Sequence, residues 1–168
     1  MGDAEVLVVY YSRTGTTQRV AEQIAEALGC QVERIVEEKD RAGLKGFIGG
    51  GKDAMLKRPA RIGGLARDPG DYGLVVVGTP VWAWTVTPAV RSFLERYRDS
   101  LPEVAFFLTT GGTGIERTFR AMEKLCGRRP VATLGLKMKD VLEGRHRERL
   151  EEFVERLRAS RGGSPGAS

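Results

Sequence analysis

The chain is poor in the residues that most often carry protein chemistry. Of its 168 residues, two are cysteine and one is histidine. Cys30 and Cys126 stand far apart and form no C-x-x-C pair, which argues against a dithiol redox motif or a zinc knuckle. Both read as free, half-buried thiols of a cytosolic protein. His146 lies between Arg145 and Arg147 and reads as part of a solvated helix start, not as a ligand. No cluster of His, Cys and carboxylates has metal spacing, so no metal is expected. No apolar run is long enough to cross a bilayer. The acidic start, Met1-Gly2-Asp3-Ala4-Glu5, does not read as a signal peptide, and Val6 breaks the myristoylation pattern. The expectation is a cytoplasmic protein away from membranes. Neither G-x-x-x-x-G-K-[ST] nor G-x-G-x-x-G occurs. Aromatics are 7% of the chain and do not interleave with a basic stripe, so specific nucleic-acid binding is not expected. No side chain stands out as a catalytic acid, base or nucleophile.

What the chain does have is an ordinary globular composition, 41% hydrophobic and 29% charged. Its length fits one domain with a core of its own, read here as residues 1–161, with a Gly/Ser-rich tail at 162–168 too polar to pack. The net charge is +5. Its arginine excess is spread over several segments, which is the pattern of a solvated surface that also favours acidic partners.

Five apolar runs read as strands: 5–11, 30–36, 74–78, 104–108 and 131–136. Helical patterns separate most of them. One follows Thr17 with Val20, Ile24 and Leu28 in register, and Gly29 closes it. Another starts at Thr87-Pro88, a third at the capping-box spacing Thr113 to Glu116, and the last runs over 143–160. Residues 38–66 break the alternation and read as a long, glycine-rich connection with a short amphipathic piece at 53–58. Alternation of this kind predicts an α/β fold: a doubly wound five-stranded parallel sheet, order 2-1-3-4-5, with helices on both faces. A ligand crevice then lies at the carboxyl ends of the strands.

In that order, three loops meet at one edge. The first, Ser12-Arg13-Thr14-Gly15-Thr16-Thr17, places four hydroxyls and a glycine where a strand turns into a helix. Such a turn offers unpaired N–H groups and a positive dipole end to an anion. Hydroxyls also cap helices without binding anything, so this loop alone does not decide. The second loop, Thr79-Pro80-Val81-Trp82-Ala83-Trp84, brings two indoles to the edge. They either line a ligand or pack into the protein. The third, Thr110-Gly111-Gly112-Thr113-Gly114, exposes backbone N–H groups with little side chain in the way. A flat, aromatic, phosphorylated ligand would use all three.

On these three segments the chain resembles the flavodoxin-like family over about residues 4–160. Ser12-x-Thr14-Gly15-x-Thr17 is similar to the family's FMN phosphate loop. Gly78-Thr79-Pro80-Val81-Trp82 is similar to its first isoalloxazine loop, and Thr109 to Gly114 to its second. The resemblance implies FMN as cofactor, with the phosphate on Ser12, Thr14, Gly15, Thr16 and Thr17. Arg13, beside this loop, either helps neutralise the phosphate, attracts an acidic partner or, the favoured reading, is simply solvated. Trp82 lies against the ring or at its edge, with Trp84 as second candidate, and backbone groups of Thr79 to Ala83 and Thr110 to Gly114 contact the ring and ribityl chain. The function implied is electron transfer through the flavin to a redox partner protein or a small acceptor. The alternative is an NAD(P)H-dependent FMN quinone reductase, and the remaining one an interaction module without flavin. Three features depart from the family pattern. The chain is basic where the small carriers are acidic. The third loop has no aromatic to cover the ring. Ala83 stands where the carriers often have glycine, so a backbone arrangement with φ > 0 is expected to be less easy there.

Overall fold

A computed structural model describes residues 5–38 and 60–162. The elements are β1 (Val6–Tyr10), α1 (Thr16–Leu28), β2 (Gln31–Arg34), β3 (Leu74–Trp82), β4 (Thr85–Val86), α2 (Pro88–Arg96), β5 (Glu103–Thr110), α3 (Ile115–Cys126), β6 (Thr133–Lys137), α4 (Met138–Leu142) and α5 (Arg147–Gly162). Five strands form a parallel sheet in the order β2-β1-β3-β5-β6, and the short β4 folds back antiparallel on β3. This is the doubly wound order expected from the sequence, with β4 as an addition.

The continuous apolar runs follow from the two-sided cover. Alternate residues of a strand face opposite sides. Val6, Val8 and Tyr10 of β1 belong to the core shared with Val20 and Ile24 of α1 and with Phe153 and Leu157 of α5. Leu7 and Val9 belong to the core on the other face, with Phe93 of α2 and Phe119 and Met122 of α3. At the centre, β1 and β5 both pair with β3, Val8 and Ala105 lying beside Val76.

Several boundaries differ from the sequence reading. β3 runs four residues past Gly78, because β5 and β4 supply it with partners to its end. The last strand begins at Thr133; Val131 before it is partly exposed. The final helical stretch is broken at Gly144, whose φ of 74° ends a turn between α4 and α5. α3 does not use the capping box. Its N-cap is Gly114, with no side-chain cap, and Thr113 is engaged elsewhere. His146 is not solvated: it is 2% exposed, and its Nε2 hydrogen-bonds the Gln23 carboxamide oxygen of α1 at 2.8 Å. The amphipathic piece at 53–58 and the tail beyond 162 lie outside the described residues. The flanks of the long connection meet in a bridge between Glu37 and Ile62.

Candidate ligand site at the strand ends

The first loop leaves β1 through Tyr11 and Ser12 and enters α1 at Gly15, which holds φ 98° as N-cap. The Gly15 N–H donates to Ser12 Oγ at 3.1 Å, closing the turn on itself. Ser12 Oγ is the acceptor here, so this bond does not use its hydroxyl hydrogen. The first helical backbone bond is from Arg19 N to the Gly15 carbonyl. The N–H groups of Thr16, Thr17 and Gln18 therefore have no partner within the helix. No acidic residue occupies the first turn of α1 to compete for them. Thr14 and Arg13 are exposed, whereas Ser12, Thr16 and Thr17 are buried.

Two contacts brace this loop, and neither was legible in the sequence. Thr17 Oγ1 and Thr109 Oγ1 share a buried hydrogen bond of 2.8 Å, tying the start of α1 to the end of β5. Arg34, at the end of β2, donates from Nη2 to the Ser12 carbonyl at 3.1 Å, which adds a fixed cation beside the turn. The loop thus combines unpaired N–H groups, hydroxyls and positive charge, a donor set that fits a phosphate.

The second loop is built as a hairpin. Trp82 pairs with Thr85, so Ala83 and Trp84 form a two-residue turn, and both have positive φ, 49° and 64°. Two-residue hairpins favour this left-handed pair of dihedrals because its twist matches the strands, normally with Asn or Gly in place. Here the residues are Ala and Trp, which costs roughly 1–2 kcal/mol each. Ala83 has thus adopted the backbone that the sequence reading expected it to resist. The turn is held from outside. Trp84 Nε1 donates to Thr113 Oγ1 of the third loop at 3.0 Å. Gly114 lies so close that a Cβ there would sit 3.0 Å from Trp84 Cα, and its own φ is 98°. Only glycine fits both demands.

The two indoles differ in setting. Trp82 is half-buried, edge-on to the Tyr11 ring at 5.9 Å, with the Arg13 guanidinium 5.1 Å from its ring centre. Trp84 is 58% exposed. Thr79 turns inward: its buried hydroxyl donates to the Pro80 carbonyl and meets Thr87 Oγ1 at 3.2 Å, where it supports the cap of α2. Pro80 and Val81 are partly exposed along the hairpin, Val81 with a methyl against Gly114.

In the third loop, Thr110 Oγ1 accepts from Gly112 N and donates to the Thr113 carbonyl. These bonds fix the loop while Gly111 and Gly112 stay exposed, with open space on their Cβ side. The three loops are therefore one unit, joined by Thr17–Thr109 and Trp84–Thr113.

The two tyrosines near the edge hold their protons tightly. Burial, then Glu37, which accepts from its hydroxyl at 3.1 Å, pushes the Tyr11 phenol to about 12. Burial also raises Tyr10. Away from the edge, burial pushes the Cys30 thiol to about 11 and raises that of Cys126, so neither is an activated nucleophile. Among the described residues no group of three or more His, Cys, Asp or Glu is placed to hold a metal, and no helix is long and apolar enough to cross a membrane.

Comparison with known proteins agrees with this architecture. No curated protein matches the chain significantly. Among solved structures, the chain resembles a flavoprotein from Lactobacillus acidophilus in complex with FMN, at 21% identity and TM-score 0.61, over 83% of this chain and 97% of that one. A Bacteroides eggerthii protein described as a flavoprotein aligns at 24% identity and TM-score 0.66, over 89% and 97%. An NADH:FMN oxidoreductase in its apo form aligns at 18% identity and TM-score 0.60, over 96% and 92%. These likenesses establish the fold. A family model described as flavodoxin matches residues 51–157, a stretch that holds the second and third loops and more than half of the chain. The chain belongs to the flavodoxin family.

Proposed function

We propose that the chain binds FMN at this three-loop edge and passes electrons through it. The family, and the presence of FMN in a structural neighbour, support FMN as the cofactor. The observation that carries the reading is the bracing of three loops into one frame, with an anion-fitting turn at one end and an exposed indole at the other. Ser12, Thr14 and the N–H groups of Thr16 and Thr17, which have no partner within the helix, would hold the phosphate. The chemistry supplied by bound FMN is transfer of one or two electrons; the protein sets position, access and potential. Arg34 and Arg13 would offset the phosphate charge. Trp84, exposed and held by its bond to Thr113, is the indole proposed to lie against the ring, whereas Trp82 is half-buried against Tyr11 and Arg13.

A second reading, two-electron reduction of a small acceptor by NAD(P)H, draws on one feature. Gly111 and Gly112 leave their side of the site without side-chain cover, so a substrate has a path in. An absorbance spectrum of the FMN-supplemented protein during stepwise anaerobic reduction separates the two. A long-lived half-reduced spectrum supports a carrier. Direct bleaching, with rapid reduction by NAD(P)H, supports the reductase. Failure to bind FMN overturns both.

A further inference from the structure

Charge on this molecule is not spread as the sequence implies. Residues 88–98 and 115–129, which make α2, α3 and their C-terminal ends, hold eight arginines and lysines against three glutamates. That excess equals the +5 net charge of the whole chain. On α5, by contrast, five arginines face four glutamates.

Six of these eight basic residues and two of the three glutamates line a concave surface. Two hollows of about 490 and 450 Å³ share Lys124 as a common wall. Arg91 and Arg98 line one of them and Arg120 and Arg128 the other. Arg98 is fixed in place by donating from Nη1 to the Lys124 and Leu125 carbonyls at 3.2 and 2.9 Å, at the C-terminal end of α3. The Nε of Arg91 is buried without a hydrogen-bond partner among the described residues. Partly buried Ala121 and Leu125 give the second hollow an apolar wall.

From this we infer that the α2–α3 groove docks an acidic, amphipathic polypeptide segment of a partner protein. Carboxylates would meet the arginines, and an apolar side chain would cover Ala121 and Leu125. Glu95 and Glu123 also line the groove. They would repel a phosphate backbone, whereas a polypeptide can answer them with N–H groups or a lysine. A concave, mixed surface also fits a flat lipid headgroup layer poorly. The groove stands apart from the ligand edge. Lys124 lies ten residues along α3 from Gly114, roughly 15 Å at helical rise. A partner anchored there leaves the three loops open, and the inference does not depend on the flavin reading.

The test is a heteronuclear NMR titration of the full chain with a synthetic amphipathic Glu/Leu peptide. Its Gln/Leu counterpart, a DNA duplex and phosphatidylglycerol vesicles serve as alternative probes. The inference expects shifts confined to residues 91–98 and 120–129 with the acidic peptide alone. It also expects about tenfold weaker binding in Arg120→Glu/Arg128→Glu. Both arginines are exposed and make no side-chain bond among the described residues, and unchanged melting confirms an intact fold. Arg149→Glu/Arg156→Glu on α5 makes the same change in net charge and should leave binding within about twofold. The inference is overturned if both double variants weaken binding equally, if the shifts fall elsewhere, or if the duplex or the vesicles bind at the groove and the peptide does not.

Discussion

One strand of this protein does two jobs. From Leu74 to Gly78, β3 is fully buried at the centre of the sheet, and every residue is chosen by what packs on it. From Pro80 to Trp82 the same strand is only half-covered and leads into a turn whose two residues both sit in left-handed backbone. The first half obeys local rules. The second breaks them, and contacts from the third loop hold it. Departures from local rules concentrate where a structure serves something other than its own stability.

The largest effect should come from breaking the buried half. A Cβ on Gly78 would stand 2.0 Å from the Phe107 ring, well inside contact distance, and that ring is wholly buried. Gly78→Ala is expected to cost about 3 kcal/mol, at the top of the usual overpacking range, read by urea unfolding. The loop edge should respond differently. Thr14 is exposed, so Thr14→Ala should leave unfolding unchanged while weakening FMN by about 1.5–3 kcal/mol, the worth of one hydrogen bond to a charged group. A loss of stability with unchanged FMN affinity would move Thr14 from the ligand to the fold. Thr17 should show both effects, since its hydroxyl is the link to Thr109.

The strained turn gives a smaller change of the opposite sign. Ala83→Gly relieves a positive φ but frees the unfolded chain. The net expectation is a gain of about 0.5–1 kcal/mol, seen as a raised denaturation midpoint. No gain would mean that Thr113 and Gly114 do not hold the turn against strain.

The mildest test concerns the α1–α5 junction. Burial holds His146 below its ordinary value, with Arg19 and Arg147 adding to this and the Asp140 backbone opposing it. The unfolded chain therefore takes up a proton first as pH falls. Stability should be constant above about pH 6.5 and decline below it, until the folded-state value is passed. His146→Gln should flatten that decline in melting curves taken across the range.

The same contrast explains what could be read from the sequence. Strand order, the two-sided core and the three loops were legible because apolar continuity and Gly/Thr turns leave local signatures. The hairpin at Ala83–Trp84 was not. Its residues carry no turn signature, and its stability comes from Thr113 and Gly114, about thirty positions away. Arg34 was invisible for a similar reason: on β2 it is an ordinary alternating residue, and only the parallel pairing with β1 brings it to Ser12. His146 was misread because the arginines beside it point to water while its own ring packs on α1. The even spread of charge along the chain concealed its gathering on one face.

The central claim is that the turn from Ser12 to Thr17 grips a phosphate and thereby selects the mononucleotide. Parallel fluorescence titrations with FMN and with riboflavin test it most directly, because the two ligands share the ring and differ in the phosphate. FMN should bind with one site and at least about a hundredfold more tightly, the equivalent of some 2.7 kcal/mol placed on the phosphate. Equal affinities for the two ligands, or binding of neither, would contradict the account.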